Sequence, residues 1–427
     1  MLIYSTWRLW FPDGGDGAFP VIPFFGWMTG FPLLLDWILS GALLTVLAAD
    51  ALEAFLLLRG AEVPSEMRWL CPAWRGIVIT GIALILLDQQ RLQPWMYHLL
   101  LLTPILALRP HDRGDEPDER NWLDWSPLSL VMLLTGSIYC WSAISKLDVS
   151  FAQEHGRVFV DAIVEVIGLS TRFWTPTEKT CAAFALPTAE LLIGIAVLVP
   201  WTRRLGLFLS FGMHGMLILA LGPWGMDQRL GVLLWNLMFI AQNILIVRRL
   251  KRRPALAPEI QSDSVVRDTP DDFEGSARWR TIVTAVILLA SAAPILRLCG
   301  RFDNWPSWAV YAASNRRVII RVISVSSIKL PWRVRRHLDK SAFRGRPWLR
   351  IDQWALTEFD APIYPQDRFQ IAVARALSRR YSMGLEVRVI EEANRFTGER
   401  QYQSFASGKG LGELADGFWL NTRERSR

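Results

Sequence analysis

The sequence has no Walker A loop, no Gly-x-Gly-x-x-Gly opening a helix, no His-Glu-x-x-His and no Gly-x-Ser-x-Gly. Those absences remove the usual signatures of nucleotide, zinc-peptidase and serine-hydrolase chemistry. Cysteine is scarce: Cys71, Cys140, Cys181 and Cys299 are the only four, and no two form a Cys-x-x-Cys pair. Neither a disulfide framework nor a metal site is indicated by such spacing. There are only five histidines. Residues 1–27 do not read as a secretory signal, because no basic flank precedes an apolar core and Pro and Gly interrupt the segment.

What is abundant is long apolar runs. Apolar residues make up 51% of the chain and the mean hydropathy is +0.22. A soluble protein has nearly as many, so their distribution decides the class. They fall into runs of about 20, the length a helix needs to cross a bilayer. There are 21 Trp, and Trp27, Trp37, Trp95, Trp122, Trp125, Trp174, Trp201 and Trp224 sit at run ends, as in an aromatic belt. The net charge of +7 comes from basic residues beside apolar runs, which suits membrane anchoring and not nucleic acid. The expected fold is mainly α: a polytopic transmembrane helical bundle of about eight spans, with a small α+β extramembrane C-terminal domain.

Five segments follow: an interfacial N-terminal segment (1–30), the bundle (31–247), a basic then acidic linker (248–280), a last span (281–299) and the α+β domain (300–427). Spans are expected near 31–58, 75–92, 94–108, 127–146, 181–199, 205–221, 230–247 and 281–298. Residues 147–176 mix apolar and polar positions, as in a helix lying in the interface or re-entering. The run Arg248-Arg249-Leu250-Lys251-Arg252-Arg253 places its end of the bundle in the cytoplasm. Alternation then turns residues 1–30, 89–93, 147–176 and 222–229 outward, with the C-terminal domain. In that domain, 318–325, 348–356 and 385–390 read as strands and 366–380 as a helix.

Ionisable groups within spans are costly and mark function or pairing. Asp36 and Asp50 lie on one stripe of the first span, where pairing with basic residues at the membrane edges is the plain expectation. Four others form the candidate site in the outer half of the bundle: His98, Lys146, Glu190 and His214. A desolvated Lys146 is the candidate base, and either histidine a proton relay. The plain alternatives are a snorkelling Lys146 and packing histidines. Asn236 and Asn243, one heptad apart with Gln242 adjacent, read as interhelical hydrogen-bond glue.

The string Ser142-Ala143-Ile144-Ser145-Lys146-Leu147-Asp148, followed by Phe151 and Gly156, resembles the Lys-Leu-Asp turn of DoxX/MauE-like membrane proteins. It is also similar to that turn in the vitamin K-dependent γ-carboxylase-like family and its bacterial HTTM relatives. The likeness extends over residues 127–247, with Glu190 central in the next helix and Gly212-Met213-His214 in the one after. For DoxX/MauE-like proteins the resemblance implies a bacterial inner-membrane component working with a quinone or a periplasmic thiol system. For the carboxylase it implies Lys146 as catalytic base, acting with a reduced quinone. Three functions are therefore expected: a redox-associated membrane component, a carboxylase-like enzyme, or a non-catalytic scaffold. The partners expected are the lipid bilayer and either a membrane quinone or a periplasmic protein. No residue pattern names a cofactor, and a membrane quinone is the candidate that the resemblance brings.

Overall fold

The computed structural model describes residues 1–59, 73–108, 126–251, 270–324, 330–339 and 347–426. Two short helices, α1 (Leu2–Ser5) and α2 (Trp7–Trp10), precede α3 (Leu34–Leu58), α4 (Ala73–Leu87) and α5 (Pro94–Leu106). Then come α6 (Pro127–Ile144), α7 (Val149–Gln153), α8 (His155–Val166), α9 (Pro176–Leu198), α10 (Arg203–Leu221), α11 (Leu230–Lys251) and α12 (Pro270–Ala292).

Among the described residues, six helical segments are long and apolar enough to cross a membrane: Leu34–Leu56, Pro127–Ile144, Pro176–Leu198, Arg203–Leu221, Leu230–Leu250 and Arg278–Cys299. The chain is a multi-pass membrane protein. Trp74–Leu87 and Pro94–Leu106 are apolar but shorter. Helix starts follow local chemistry. Thr175 and Glu178 form a capping box before α9, with Pro176 in its first turn. Ser126 accepts from Ser129 N ahead of Pro127. The acidic end of the expected linker is helical from Pro270; residues 252–269 lie outside the described residues.

The C-terminal region forms a five-stranded antiparallel sheet, β1 (Arg317–Ser324), β2 (Leu338–Asp339), β3 (Trp348–Leu349), β4 (Gly384–Ile390) and β5 (Tyr402–Ala406), in the order β2-β3-β1-β4-β5. Helices α13 (Trp332–Arg335), α14 (Ile351–Phe359), α15 (Asp367–Tyr381) and α16 (Lys409–Asp416) accompany it. The strand expected at 348–356 is only Trp348–Leu349, and a helix follows. Ile351, Trp354, Ala355 and Phe359 are buried at helical spacing, so the 3.6 period wins over local β-propensity.

Residues 1–30, expected to be interfacial, contribute to a buried core. Trp10, Phe19 and Ile22 share one core with Leu43 and Leu84 of the bundle and with Trp354, Phe369 and Leu385 of the sheet domain. The chain's last residues return to the same place: Asn421 N donates to Phe24 O and Arg425 N to Val21 O. Asp36 is fully buried between the Arg91 and Arg425 guanidinium groups. Of the expected Trp belt, Trp27, Trp37, Trp174, Trp201 and Trp224 are exposed. Trp95 instead packs edge-on against Trp10 in the core, and Trp122 and Trp125 lie outside the described residues.

The four segments read as facing one way all meet the sheet domain. Gln90 accepts from Tyr364 N, Arg229 pairs with Asp360, and Val149 N donates to Arg395 O at 3.0 Å. This domain-facing end of the bundle holds the site.

Candidate functional site

Helices α6 and α9 approach where glycine removes the side chain. A Cβ on Gly194 would lie 2.8 Å from Cys140 Sγ and 3.0 Å from both Cys140 N and Tyr139 Cβ. That contact sets Glu190, one turn nearer the domain, beside the end of α6. Lys146 sits in the turn that closes α6, with its N–H bonded to Ala143 O at 2.9 Å. Asp148 then caps α7 by accepting from Phe151 N at 2.7 Å. The Lys-Leu-Asp string is thus a joint: one helix ends at the lysine and the next begins at the aspartate. Across it, Lys146 Nζ reaches Glu190 Oε2 at 2.6 Å, both side chains about five-sixths buried (15% and 16% exposed). An ion pair near the end of a span is stabilised by mutual neutralisation.

A second polar cluster joins α6, α10 and α11. His214 Nδ1 lies 2.9 Å from Asn236 Oδ1, and Asn236 Nδ2 donates to Val232 O at 2.9 Å. The carbonyl of residue 232 can only accept, so it fixes the amide with Oδ1 toward the imidazole. His214 Nδ1 therefore carries the hydrogen. Its Nε2 then accepts from the Tyr139 hydroxyl at 2.8 Å, and the Tyr139 oxygen accepts from Asn243 Nδ2 at 3.1 Å. When the imidazole is neutral, its Nε2 faces a phenol that holds a proton.

Both clusters open on one cavity of about 820 Å³. Its walls are mostly apolar, including Phe159 and Ile163 of α8, Ile193 of α9 and Leu217 of α10, and the loop around Tyr311 closes the domain side. Lys146, Glu190 and His214 line it together. His98 does not. It is fully buried and stacks on Phe239 at 4.8 Å, while His214 stacks on the same ring at 4.8 Å. Two rings stacked on one phenyl take its two faces, so Phe239 separates His98 from the cavity. The four-residue grouping is accordingly reduced to three, and His98 packs behind it.

Two lining residues escaped the sequence reading. His155 begins α8, and its Nδ1 is buried with no hydrogen-bond partner. Burial first, and the Arg317 charge second, hold its imidazole below the ordinary histidine range. His155, Phe159 and Ile163 recur every four residues, so helical spacing could have placed it with the apolar lining. Tyr311 has a left-handed backbone (φ 60°), costly for an aromatic residue. Its ring meets Phe159 edge-on at 5.4 Å, and burial pushes its hydroxyl up to about 12. No local pattern marks a loop residue brought in by the domain. Asn236 and Asn243 do join helices, as glue would, but both also hold the Tyr139–His214 pair.

Comparison of the chain with family models, with curated proteins and with solved structures returns no match.

Proposed function

We propose that the chain is a bacterial inner-membrane component of a redox system, and that it binds a membrane quinone in the cavity beside Lys146. One observation carries this reading: a cavity of about 820 Å³ that is apolar along its walls and carries two proton-holding clusters, Lys146–Glu190 and Tyr139–His214–Asn236. The residues fit the group. A quinone ring presents carbonyl oxygens that need donors; Lys146 Nζ has hydrogens beyond the one given to Glu190, and the Tyr139 hydroxyl becomes a donor when it turns from His214 Nε2. Its isoprenoid tail needs apolar walls, which Phe159, Ile163 and Leu217 provide. When bound, a quinone supplies a two-electron, two-proton couple. The protein's part is to orient the ring, exclude water, and hold protons at Nζ of Lys146 and at the Tyr139 oxygen.

The sheet domain is proposed to be periplasmic and to close the cavity from above. The basic run at 248–253 and the Arg203-Arg204 turn support this by marking the opposite end as cytoplasmic. With Trp74–Leu87 and Pro94–Leu106 as short spans, the count is eight. A carboxylase-like role for Lys146 as base has less support, since the Nζ it would use is already paired with Glu190 Oε2 at 2.6 Å. A scaffold alone would not need a cavity of this size.

The test is extraction of quinone from protein purified in lipid nanodiscs. Quinone should co-purify with the wild type, and Lys146→Ala and Tyr139→Phe should each deplete it. Absence of quinone from the wild type, or equal content in both variants, would overturn the reading.

A further inference from the structure

Helices α9 and α10 touch at one end and part at the other. At the Arg203 end, a Cβ on Gly206 would sit 2.7 Å from Val197 N and 2.8 Å from Ala196 C, so the two backbones nearly meet. Toward the domain, Gly212 and Gly215 have no heavy atom within 4 Å of the place a Cβ would take. Side chains flanking the gap face the lipid: Phe208 is 71% and Leu209 44% exposed on α10, and Ala189 is exposed on α9. Both helices are long and apolar enough to cross a membrane, which puts these side chains at the depth of the acyl chains.

Helix α8 closes the third side. A Cβ on its Gly156 would lie 2.7 Å from Ala183 Cβ of α9, and α8 also packs on α10. The gap is therefore a window, bounded by α9, α10 and α8. It does not lead to a shallow surface dent. Ala189, Phe208, Leu209 and Gly212 line the same cavity as Lys146 and His214.

We infer that this window is a lateral entrance, through which the acyl or isoprenoid chain of a bilayer molecule passes from the lipid into the cavity. The inference builds on the reading that the ligand is membrane-dissolved, and adds the route. The walls select an apolar chain without a charged tail, because a charge at this depth has no partner in the window. The polar clusters behind it receive the head group.

The full chain would be reconstituted in vesicles of phosphatidylethanolamine and phosphatidylglycerol in which a fraction of the phosphatidylethanolamine carries a mid-chain diazirine. After photolysis, labelled residues are mapped by peptide mass spectrometry. Met213 and Ile193, inside the window, should be labelled in the wild type. Gly212→Trp and Ala189→Trp, which plug it from opposite edges, should each abolish that labelling. Leu245 on α11 and Leu288 on α12 face lipid elsewhere, and their unchanged labelling shows that each variant is folded and inserted. Met213 and Ile193 unlabelled in the wild type, or labelled equally in both plugged variants, would overturn the entrance. A long-chain quinone added in excess tests the other reading separately. Competition supports both. Labelling that quinone leaves unchanged, but that the plugs abolish, supports the entrance while the quinone assignment fails.

Discussion

Replacing Asp36 with Asn should destabilise the protein by about 3–5 kcal/mol, the usual consequence of leaving a buried charge uncompensated. The side chains of Asp36, Arg91 and Arg425 are all 0% exposed. One carboxylate oxygen takes Arg91; the other takes Arg425 Nη1 at 2.6 Å. Asn keeps the shape but removes the charge and turns an N–H₂ toward one guanidinium, setting donor against donor. Two cations then remain in a site closed to water. A triple variant, Asp36→Leu with Arg91→Met and Arg425→Met, separates charge from packing. It removes these three charges, though the buried Asp88 then loses the Arg91 cation beside it, so it should recover part of the loss. Recovery stays partial because Arg91 also serves Leu9 O and Arg425 serves Phe31 O and Pro32 O. Each carbonyl left unpaired costs about 1–3 kcal/mol. The assay is unfolding by dodecyl sulfate in mixed micelles, followed by Trp emission. An Asn variant within about 1 kcal/mol of wild type, or a triple variant weaker than the single one, would refute the argument.

Glu190→Gln removes the carboxylate at Lys146 and should cost roughly 1–3 kcal/mol in the same assay, between an exposed and a buried pair. Gly194→Leu forces side-chain atoms into Cys140 and Tyr139. It should separate α6 from α9, destabilise the bundle by at least about 1–3 kcal/mol and deplete bound quinone, as extraction would show. His155 is held below its ordinary range in the folded protein, so the unfolded chain takes up its proton first as pH falls. Its contribution is full above about 6.5 and is lost below that, toward its folded value. The stability difference between wild type and His155→Gln should therefore shift in favour of the variant between pH 7.5 and 5.5, read as melting temperatures in detergent; a difference independent of pH would sink this account.

Apolar run length exposed the bundle in the sequence because the bilayer sets it. The helix α15 and the strands β1 and β4 were equally legible, since each carries its own period. Lys146, Glu190 and His214 stood out because ionisable groups in spans are rare. His98 met the same criterion and lies off the cavity, since rarity says nothing about which side of Phe239 a ring occupies. The burial of Trp10 and Phe19 was not legible. Phe19 meets Trp354 and Phe369, hundreds of residues away, and Trp10 meets Trp95 of a different helix; the Pro and Gly around them mask any period. Tyr311 was hidden for the same reason: its place at the cavity follows from how the domain docks, not from its neighbours in sequence.

The Asp36–Arg425 contact joins residues 389 apart, and this sets the order of events during synthesis. Asp36 enters the membrane with the first span, and Arg91 follows soon after. At about 5–20 residues per second, Arg425 is made only tens of seconds later. Through that interval the first span holds its carboxylate with a single cation, and the N-terminal aromatics lack the sheet that covers them. A ribosome that stops early leaves this joint open. The buried carboxylate of Asp36 thus distinguishes a chain that carries Arg425 from one that stops before it.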